Sequence, residues 1–438
     1  MGIHKVWVTL PDGAEIQAGE LAFGRPMPDG TCRSAFRYSP EWLKKGFPLD
    51  PVSLPLSTGE FHASHLGPPL AAFDDALPDA WGRHLIDSEK QIPISKRLPE
   101  RYLVEVGRGG LGAIGFGGPV KRNFEEARMH SMAELMDAAR DVEKGVAAPD
   151  SAGLHKLFAV GASAGGARPK ALVAHEGRHW IAKFPAYQDG PLNVPALEFA
   201  SMVTAKKAGL DCPDVQLHSI GGRSVLFIER FDLTEKGRVH HLSFKSLCKE
   251  RGGLLVGSYA DLMAVVAKHS MRPEADTHAL YRQAVFNMAI GNTDDHLKNF
   301  MMQGGPKGYC LAPAFDLVPD IARNLEHQLS VGGLRYPEKT AIAEFGARWC
   351  RDRELAEKVM QEVSVAVSGF KGELAATGVD MEAHARIYSD IDARLGVLAQ
   401  RAASIPSSEA SRLFDRAAEA AAAADGRARL AGGRELDR

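Results

Sequence analysis

The first 120 positions alternate between short apolar runs and segments rich in glycine and proline. The runs KVWVTL, AGELAFG and SAFRYSP predict strands, because apolar and aromatic residues there are bounded by turn-forming residues. The segment LPDAWGRHLIDSEK predicts a helix. The segment RYLVEVGRGGLGAIGFGGP predicts a strand, then a helix or loop, and then a glycine-rich strand. The pattern therefore predicts a small, mostly β domain at residues 1–120.

The middle of the chain combines a polar helix with two hairpins. Residues 121–150 have a polar, helical pattern and end at AAPDSAG, where we place a boundary. KALVAHEGRHWIAKFP predicts a hairpin turning at Glu176-Gly177, and VQLHSIGGRSVLFIERF predicts another turning at Gly221-Gly222. Between them, NVPALEFASMVTAKKAG predicts an amphipathic helix that the final glycine terminates.

From about residue 245 onward the pattern is mostly helical. THALYRQAVFNMAIG predicts a helix whose apolar face contains Leu280, Tyr281, Ala284, Val285 and Met288. The last stretch is rich in alanine, arginine and glutamate, which predicts a frayed helix or a flexible tail. We therefore divide the chain into a β-rich N-terminal subdomain, a second β-rich region, a helical region and a tail, at residues 1–120, 121–235, 236–405 and 406–438.

Composition excludes several classes of protein. The 438 residues carry 53 Lys and Arg against 55 Asp and Glu, which argues against nucleic-acid binding over the whole surface. The five cysteines are scattered, which fits a reducing cytoplasm and gives no spacing for a zinc site. The chain has no apolar segment long enough for a signal peptide or a membrane span. We expect a cytoplasmic protein of two or three domains.

Two glycine-rich stretches resemble nucleotide-binding motifs. Gly107, Gly109 and Gly112 match the dinucleotide fingerprint, but AIGFGGP follows where a helix should begin, so we interpret them as tight turns. GASAGGARPKA has alanine where a Walker lysine belongs, and is not a P-loop. Its Gly165, Gly166 and Lys170 lead into a hairpin, as in the loop that covers ATP phosphates in protein kinases. Taken alone, a surface loop explains this stretch equally well.

Further parts of a kinase follow in the expected order. Lys183 lies on the second strand after the loop, and Glu198 lies on the next helix, where it is a possible partner for that lysine. Each residue alone has a simple explanation as a solvated surface group. FIERFD contains Glu229 and Phe231 and ends the second hairpin, at the position of a hinge whose backbone faces adenine.

The segment GNTDDHLKNF has the D-x-x-x-x-N spacing of a catalytic loop. Asp294 is suited to accept the proton of a substrate hydroxyl, and Asn299 offers an amide oxygen to Mg²⁺. We expect His296 to orient the loop, whereas Lys298 either contacts a phosphate or points to solvent. In LAPAFDLVP, Asp316 stands among apolar residues, where it either binds Mg²⁺ or caps a turn. The order of these parts predicts an α+β, bilobal, protein-kinase-like fold.

These segments resemble the HipA-type toxin kinases of bacterial toxin–antitoxin modules. The resemblance lies in SAGGARPKA, WIAKFP, FIERFD, GNTDDHLKNF and APAFDLVP, and in LPLS, FDDALPDAWGR and VGRGGLGAIGF of the N-terminal region. It implies a Ser/Thr kinase that uses ATP and Mg²⁺. Asp294 would be the catalytic residue, Asn299 and Asp316 the metal ligands, and Lys183 a phosphate ligand.

The resemblance also implies regulation and partners. Family members phosphorylate a serine of their own glycine-rich loop, which displaces the loop and silences the kinase; the matching residue is Ser163. The partner is a small helix-turn-helix antitoxin, HipB-like, which binds operator DNA, and known targets include aminoacyl-tRNA synthetases. Leu233 stands where many relatives have arginine after the hinge, and ARPK departs from the loop of the best-known members.

Three other functions remain open from the sequence. A catalytically idle scaffold in a repressor complex would not need the intact set of Lys183, Asp294, Asn299 and Asp316. A metal-dependent nuclease or phosphohydrolase would use Asp294, His296 and Asp316 without the lysine or the loop. A small-molecule kinase would share the same metal and base geometry.

Overall fold

The N-terminal region is built on an antiparallel sheet with the strand order β4-β3-β2-β1-β5. The computed structural model describes residues 2–25, 33–63, 71–118, 129–149, 151–248 and 257–399. The boundary that we placed at residue 120 and the tail at 406–438 lie outside these ranges. The elements of this region are β1 (Gly2–Thr9), β2 (Glu15–Phe23), β3 (Ser34–Tyr38), α1 (Pro40–Lys45), β4 (Phe61–His62), α2 (Ala71–Asp74), α3 (Ala80–Lys90), α4 (Pro99–Val106) and β5 (Ile114–Phe116).

The strand that we predicted in RYLVEV is wrong, because this segment lies in α4. Pro99 occupies the first turn of that helix, where the N–H that proline lacks would have no partner within the helix. Tyr102, Leu103 and Val106 are buried at a spacing that puts them on one face of a helix but on opposite faces of a strand. Strand β5 is the next element, so no helix opens at the glycines of the dinucleotide-like motif.

The second region contains a four-stranded antiparallel sheet with the order β6-β7-β9-β8. Its elements are α5 (Met129–Glu143), α6 (Ala152–Gly161), β6 (Lys170–His175), β7 (Arg178–Lys183), α7 (Val194–Lys207), β8 (Val215–Ile220) and β9 (Arg223–Glu229). Both predicted hairpins are confirmed. Glu176 and Gly177 have φ of 50° and 73°, and Gly221 and Gly222 have 58° and 75°. Two positive φ angles in a two-residue turn match the right-handed twist of the strands.

Two helices of this region differ from the sequence-based predictions. The pattern did not predict α6, whose Leu154, Leu157 and Val160 are buried three residues apart behind the N-cap Ser151. Helix α7 was predicted to be amphipathic, yet 10 of its 14 residues are buried, including Glu198. The predicted stop is confirmed, since Gly209 follows the helix with φ of 81°.

The third region is helical, as predicted, with one small sheet in the order β10-β11-β12. Its elements are β10 (His240–Ser243), α8 (Phe244–Leu247), α9 (Tyr259–His269), α10 (Pro273–Ile290), β11 (Met301–Gly305), β12 (Gly308–Leu311), α11 (Lys339–Cys350), α12 (Arg353–Ser368), α13 (Phe370–Ala376) and α14 (Ala385–Ala399). Helix α10 is buried on most sides and ends at Gly291, with φ of 74°. The helix therefore delivers the predicted catalytic loop from the centre of the core. Among the described residues, no helix is both long and apolar enough to cross a membrane.

The glycine-rich segment before β5 joins the N-terminal region to the predicted hinge. The N–H of Gly112 donates to Asp232 Oδ2 at 2.8 Å, and Arg238 Nη1 donates to Gly110 O at 2.6 Å. Asp232 also pairs with the buried Arg230 at 2.7 Å, which holds the pKa of that carboxyl well below its usual range despite burial. These glycines therefore support a junction between two regions of the chain.

Candidate active site

A buried lysine lies at the centre of the site. Lys183 ends β7, and its Nζ donates to Glu198 Oε1 on α7 at 2.6 Å and to Asp316 Oδ1 at 2.5 Å. Burial by itself would lower the pKa of Lys183, but Asp316 and Glu198 raise it above its ordinary value. The same contact keeps the pKa of Asp316 well below its usual range in spite of burial. The side chains therefore form a charged triad.

A second lysine faces the glycine-rich loop. Lys170 is paired in register with Lys183 across the hairpin, and its Nζ donates to Gly165 O at 2.5 Å. Burial and the Lys183 charge lower the pKa of Lys170 to about 8. Two cations on adjacent strands beneath a glycine loop form a site suited to polyphosphate.

The glycine-rich loop lies folded over these lysines. Ser163 is 7% exposed, and Gly166 has φ of 89°, a conformation that L side chains rarely adopt. The N–H of Gly166 donates to Asp79 Oδ2 at 2.7 Å, and Asp79 also accepts from Lys298 Nζ at 2.6 Å. Lys298 thus contacts a carboxylate here, where we expected a phosphate or solvent. Sequence reasoning missed Asp79, because these contacts span 87 and 219 positions.

The predicted catalytic loop presents Asp294 to solvent, with its side chain 69% exposed. Gln328 Nε2 donates to Asp294 Oδ1 at 2.8 Å, and His296 Nε2 lies 4.0 Å from the same oxygen. Partial burial raises the pKa of the Asp294 carboxyl, the nearby His296 opposes this and the Asp316 carboxylate adds to it. A raised pKa increases the basicity of a group that accepts a proton.

The neighbouring Asp295 fixes the loop from within. It is fully buried and accepts hydrogen bonds from Tyr259 Oη at 2.9 Å, the Gln328 N–H at 2.8 Å and the His327 ring at 3.2 Å. A buried carboxylate with several donors holds its backbone in place. We had not singled out Asp295 or Gln328, because their partners lie more than 30 positions away along the chain.

Asp316 has a strained backbone, with φ of 56°. A non-glycine residue in the left-handed region is uncommon, and such strain clusters at functional sites. Asn292 Nδ2 lies 3.5 Å from the Asp316 carbonyl oxygen, which connects this residue to the catalytic loop. The alternative of a simple turn cap does not explain the contact between the Asp316 side chain and Lys183.

The two predicted metal ligands offer oxygen atoms. Asn299 Nδ2 donates to the Asp294 carbonyl at 2.8 Å, which orients the amide and leaves Oδ1 without a partner among the described residues. Asp316 Oδ2 is likewise without a partner in those ranges. The described residues contain no group of three or more His, Cys, Asp or Glu side chains placed to hold a metal. A donor set of one carboxylate and one amide fits Mg²⁺, which takes its other ligands from phosphate and water.

The two predicted hinge residues differ in their geometry. The Glu229 N–H donates to Asp214 O at 2.8 Å, and the Glu229 carboxylate accepts from Arg178 at 2.9 Å. The backbone N–H and C=O of Phe231 have no partner within the described ranges, and its ring lies 5.8 Å from that of Phe315. Phe231 therefore has free backbone groups for a planar, hydrogen-bonding ligand, whereas the Glu229 amide is already bonded.

Known proteins share both parts of this architecture. Residues 14–117 match the family model of the HipA N-terminal domain, and residues 162–370 match that of the HipA-like C-terminal domain. The candidate kinase Y4mE of Sinorhizobium fredii is 31% identical over 178 residues, which cover 38% of this chain and 40% of that protein. The serine/threonine-protein kinase toxin HipA of Shewanella oneidensis is 25% identical over 355 residues, covering 72% and 77%.

A solved structure has the same fold. It contains Shewanella oneidensis HipA with HipB and their operator DNA, and it aligns over 90% of this chain and 96% of that chain. The TM-score is 0.60 at 18% sequence identity. This likeness confirms the predicted α+β, bilobal, kinase-like fold.

Proposed function

Since the chain belongs to the HipA-like family, we propose that it is a Mg-ATP-dependent serine/threonine protein kinase and the toxin of a HipBA-like toxin–antitoxin module. The observation that carries this proposal is the charged triad of Lys183, Glu198 and Asp316. Kinases need the strand lysine paired with a helix glutamate and the metal-binding aspartate beside the phosphates. Here one lysine contacts both carboxylates, within 2.6 Å.

The residues divide the work of phosphoryl transfer. Lys183 and Lys170 neutralise phosphate oxygens, and the glycine-rich loop that contains Gly165 and Gly166 covers them. The free backbone groups of Phe231 receive the adenine edge. Mg²⁺, held by Asn299 and Asp316, would neutralise the charge that develops on the transferred phosphoryl group.

Asp294 is the proposed acceptor of the proton from the hydroxyl of the protein substrate. Its exposed carboxylate accepts the hydroxyl proton, and the hydrogen bond from Gln328 orients it. His296, whose Nε2 lies 4.0 Å from Asp294 Oδ1, is the proposed residue that orients the loop. A scaffold without activity would not need Lys183, Asp294, Asn299 and Asp316 all to be present, and the contact of Lys183 with both Glu198 and Asp316 favours the active enzyme over the idle one.

Regulation and partners follow from family membership. We infer that Ser163 is the site of self-silencing phosphorylation, and that the loop must leave its present position first, because the serine is buried. The Shewanella relative assembles with HipB and operator DNA, so we infer a helix-turn-helix antitoxin partner that brings this chain to DNA. The proposed target is a cytoplasmic translation component such as an aminoacyl-tRNA synthetase.

The test is the intact mass of purified protein after incubation with Mg-ATP, for wild type and Asp294→Asn. The protein is first shown to be unmodified, or is treated with phosphatase. A gain of one phosphate on Ser163 in wild type alone supports a kinase with a self-silencing loop. The absence of any transfer to the protein, with ATP still hydrolysed, would favour a small-molecule kinase.

A further inference from the structure

Asp79, at the start of α3 in the N-terminal region, has an unusual set of contacts. It occupies the N-cap position, yet its side chain makes no hydrogen bond to its own helix. An N-cap aspartate usually accepts an N–H from the first turn of the helix that it starts. Here both carboxylate oxygens point to other parts of the chain.

Those two oxygens connect the two loops of the active site. Oδ2 accepts the Gly166 N–H from the glycine-rich loop at 2.7 Å, and Oδ1 accepts Lys298 Nζ from the catalytic loop at 2.6 Å. Although burial raises the pKa of the Asp79 carboxyl, Lys298 and the Gly166 N–H lower it below its ordinary value. Asp79 is therefore an anion that accepts one hydrogen bond from the cation of Lys298 and one from the backbone N–H of Gly166.

Helix α3 holds the glycine-rich loop at further points. The Trp81 N–H donates to Gly166 O at 3.2 Å, and Trp81 Nε1 donates to Lys170 O at 2.9 Å. A Cβ on Gly82 would lie 2.5 Å from Ala162 O, so the helix and the loop are in close contact. The loop is thus bonded through both the N–H and the C=O of Gly166.

We propose that Asp79 is a positioning residue through which the N-terminal region completes the active site. It fixes the distance between the glycine-rich loop and the catalytic loop. It also keeps the side chain of Lys298 directed toward the space between these two loops. This inference rests on the proposed kinase function for its consequence in turnover, but the bridge itself is a property of the free protein.

The first experiment measures hydrogen–deuterium exchange of the peptide that contains Gly166 in the full-length protein. Its variants are Asp79→Asn, Lys298→Gln and the double variant. The matched control is Asp87→Asn, which removes the same charge from the same helix, where Asp87 contacts Arg97 and Tyr102 within the N-terminal region. We expect exchange in this peptide to become about tenfold faster in Asp79→Asn, because a charge-assisted hydrogen bond is lost. The control should leave it unchanged.

The same variants are then compared in binding of a fluorescent ATP analogue and in ATP turnover. Asp79→Asn should raise the KM for ATP and lower kcat, while Asp79→Glu should recover part of both. The effect on exchange should be smaller when Lys298 is already glutamine, since the two residues act through one contact.

Unchanged exchange in Asp79→Asn, or an equal increase in Asp87→Asn, would overturn the proposal. Faster exchange with unaltered ATP binding and turnover would also overturn it, because the bridge would then be only structural. If wild type binds the analogue but transfers no phosphate, the kinase proposal fails, and exchange together with ATP binding still decides the role of Asp79.

Discussion

Replacing Lys183 by methionine removes the cation of the charged triad and keeps a side chain of similar length. Glu198 has a side chain only 3% exposed, while that of Asp316 is 38% exposed. Removing one partner of a buried pair costs about 3–5 kcal/mol, because the other charge stays buried without compensation. Asp316 is the less buried of the two carboxylates, so we assign most of this cost to Glu198 and expect a loss of about 3 kcal/mol in the free energy of unfolding at pH 7.5.

The loss should depend on pH in a defined direction. Burial already raises the pKa of the Glu198 carboxyl when Lys183 is present, and removing Lys183 takes away the positive charge that opposes this rise. A group of this kind favours the folded state below its unfolded pKa, and that stability is lost as the pH rises through the folded pKa. Lys183→Met should therefore lie closer to wild type at pH 5 than at pH 8 in urea unfolding followed by tryptophan fluorescence.

A second substitution tests the cause. Glu198→Gln in the Lys183→Met background removes the uncompensated charge and should restore at least half of the lost stability. It should also flatten the pH dependence. A loss below about 1 kcal/mol in the single variant, or no recovery in the double variant, would refute the charged triad as described.

The other predictions concern the glycine-rich loop, the lysine beneath it and the proposed catalytic aspartate. Burial lowers the pKa of Lys170 to about 8, so the protonated form of Lys170 opposes folding. The stability of the wild type should therefore increase from pH 8 toward pH 10, and the stability of the wild type relative to Lys170→Met should be lower at low pH than at high pH. Urea midpoints across this range would check it. Asp294→Asn should lower kcat by about 10²–10⁴-fold and leave the Kd for ATP within twofold or so, measured by turnover and fluorescence titration. Gly166→Ala should weaken ATP binding and lower stability by about 1 kcal/mol, because φ of 89° is strained for alanine; a thermal melt and the same titration would detect it.

Local signals explain which elements the sequence predicted. The hairpins turning at Gly177 and Gly222 follow from residues that tolerate positive φ, and neighbouring residues are enough to specify such a turn. Helix α4 was misread because RYLVEV has strand-forming residues, and the burial of Tyr102 and Leu103 on one face depends on the sheet beside it. Helix α7 was predicted to be amphipathic because a glutamate is normally exposed. Glu198 is buried here because it pairs with Lys183, which lies on a strand elsewhere in the chain.

The residues of the candidate site also divide into those that the sequence predicted and those that it did not. A kinase-like arrangement could be predicted from the order along the chain of Lys183, Glu198, Asp294, Asn299 and Asp316. The structure brings Lys183 together with Glu198 and Asp316. Asp79, Asp295 and Gln328 could not be predicted from spacing. Their contacts join segments that are far apart in sequence and carry no local pattern.

The wide separation of these contacts has a consequence for the synthesis of the protein. Asp79 meets Lys298 across 219 positions, and Arg394 on α14 reaches the ring of His327, which contacts Asp295, across 67. A ribosome must therefore synthesise the chain through α14 before the predicted catalytic loop has all of these contacts. A chain that stops before Arg394 would lack its contact with His327, so we expect the loop that contains Asp294 and Asp295 to be less firmly held until α14 has been synthesised.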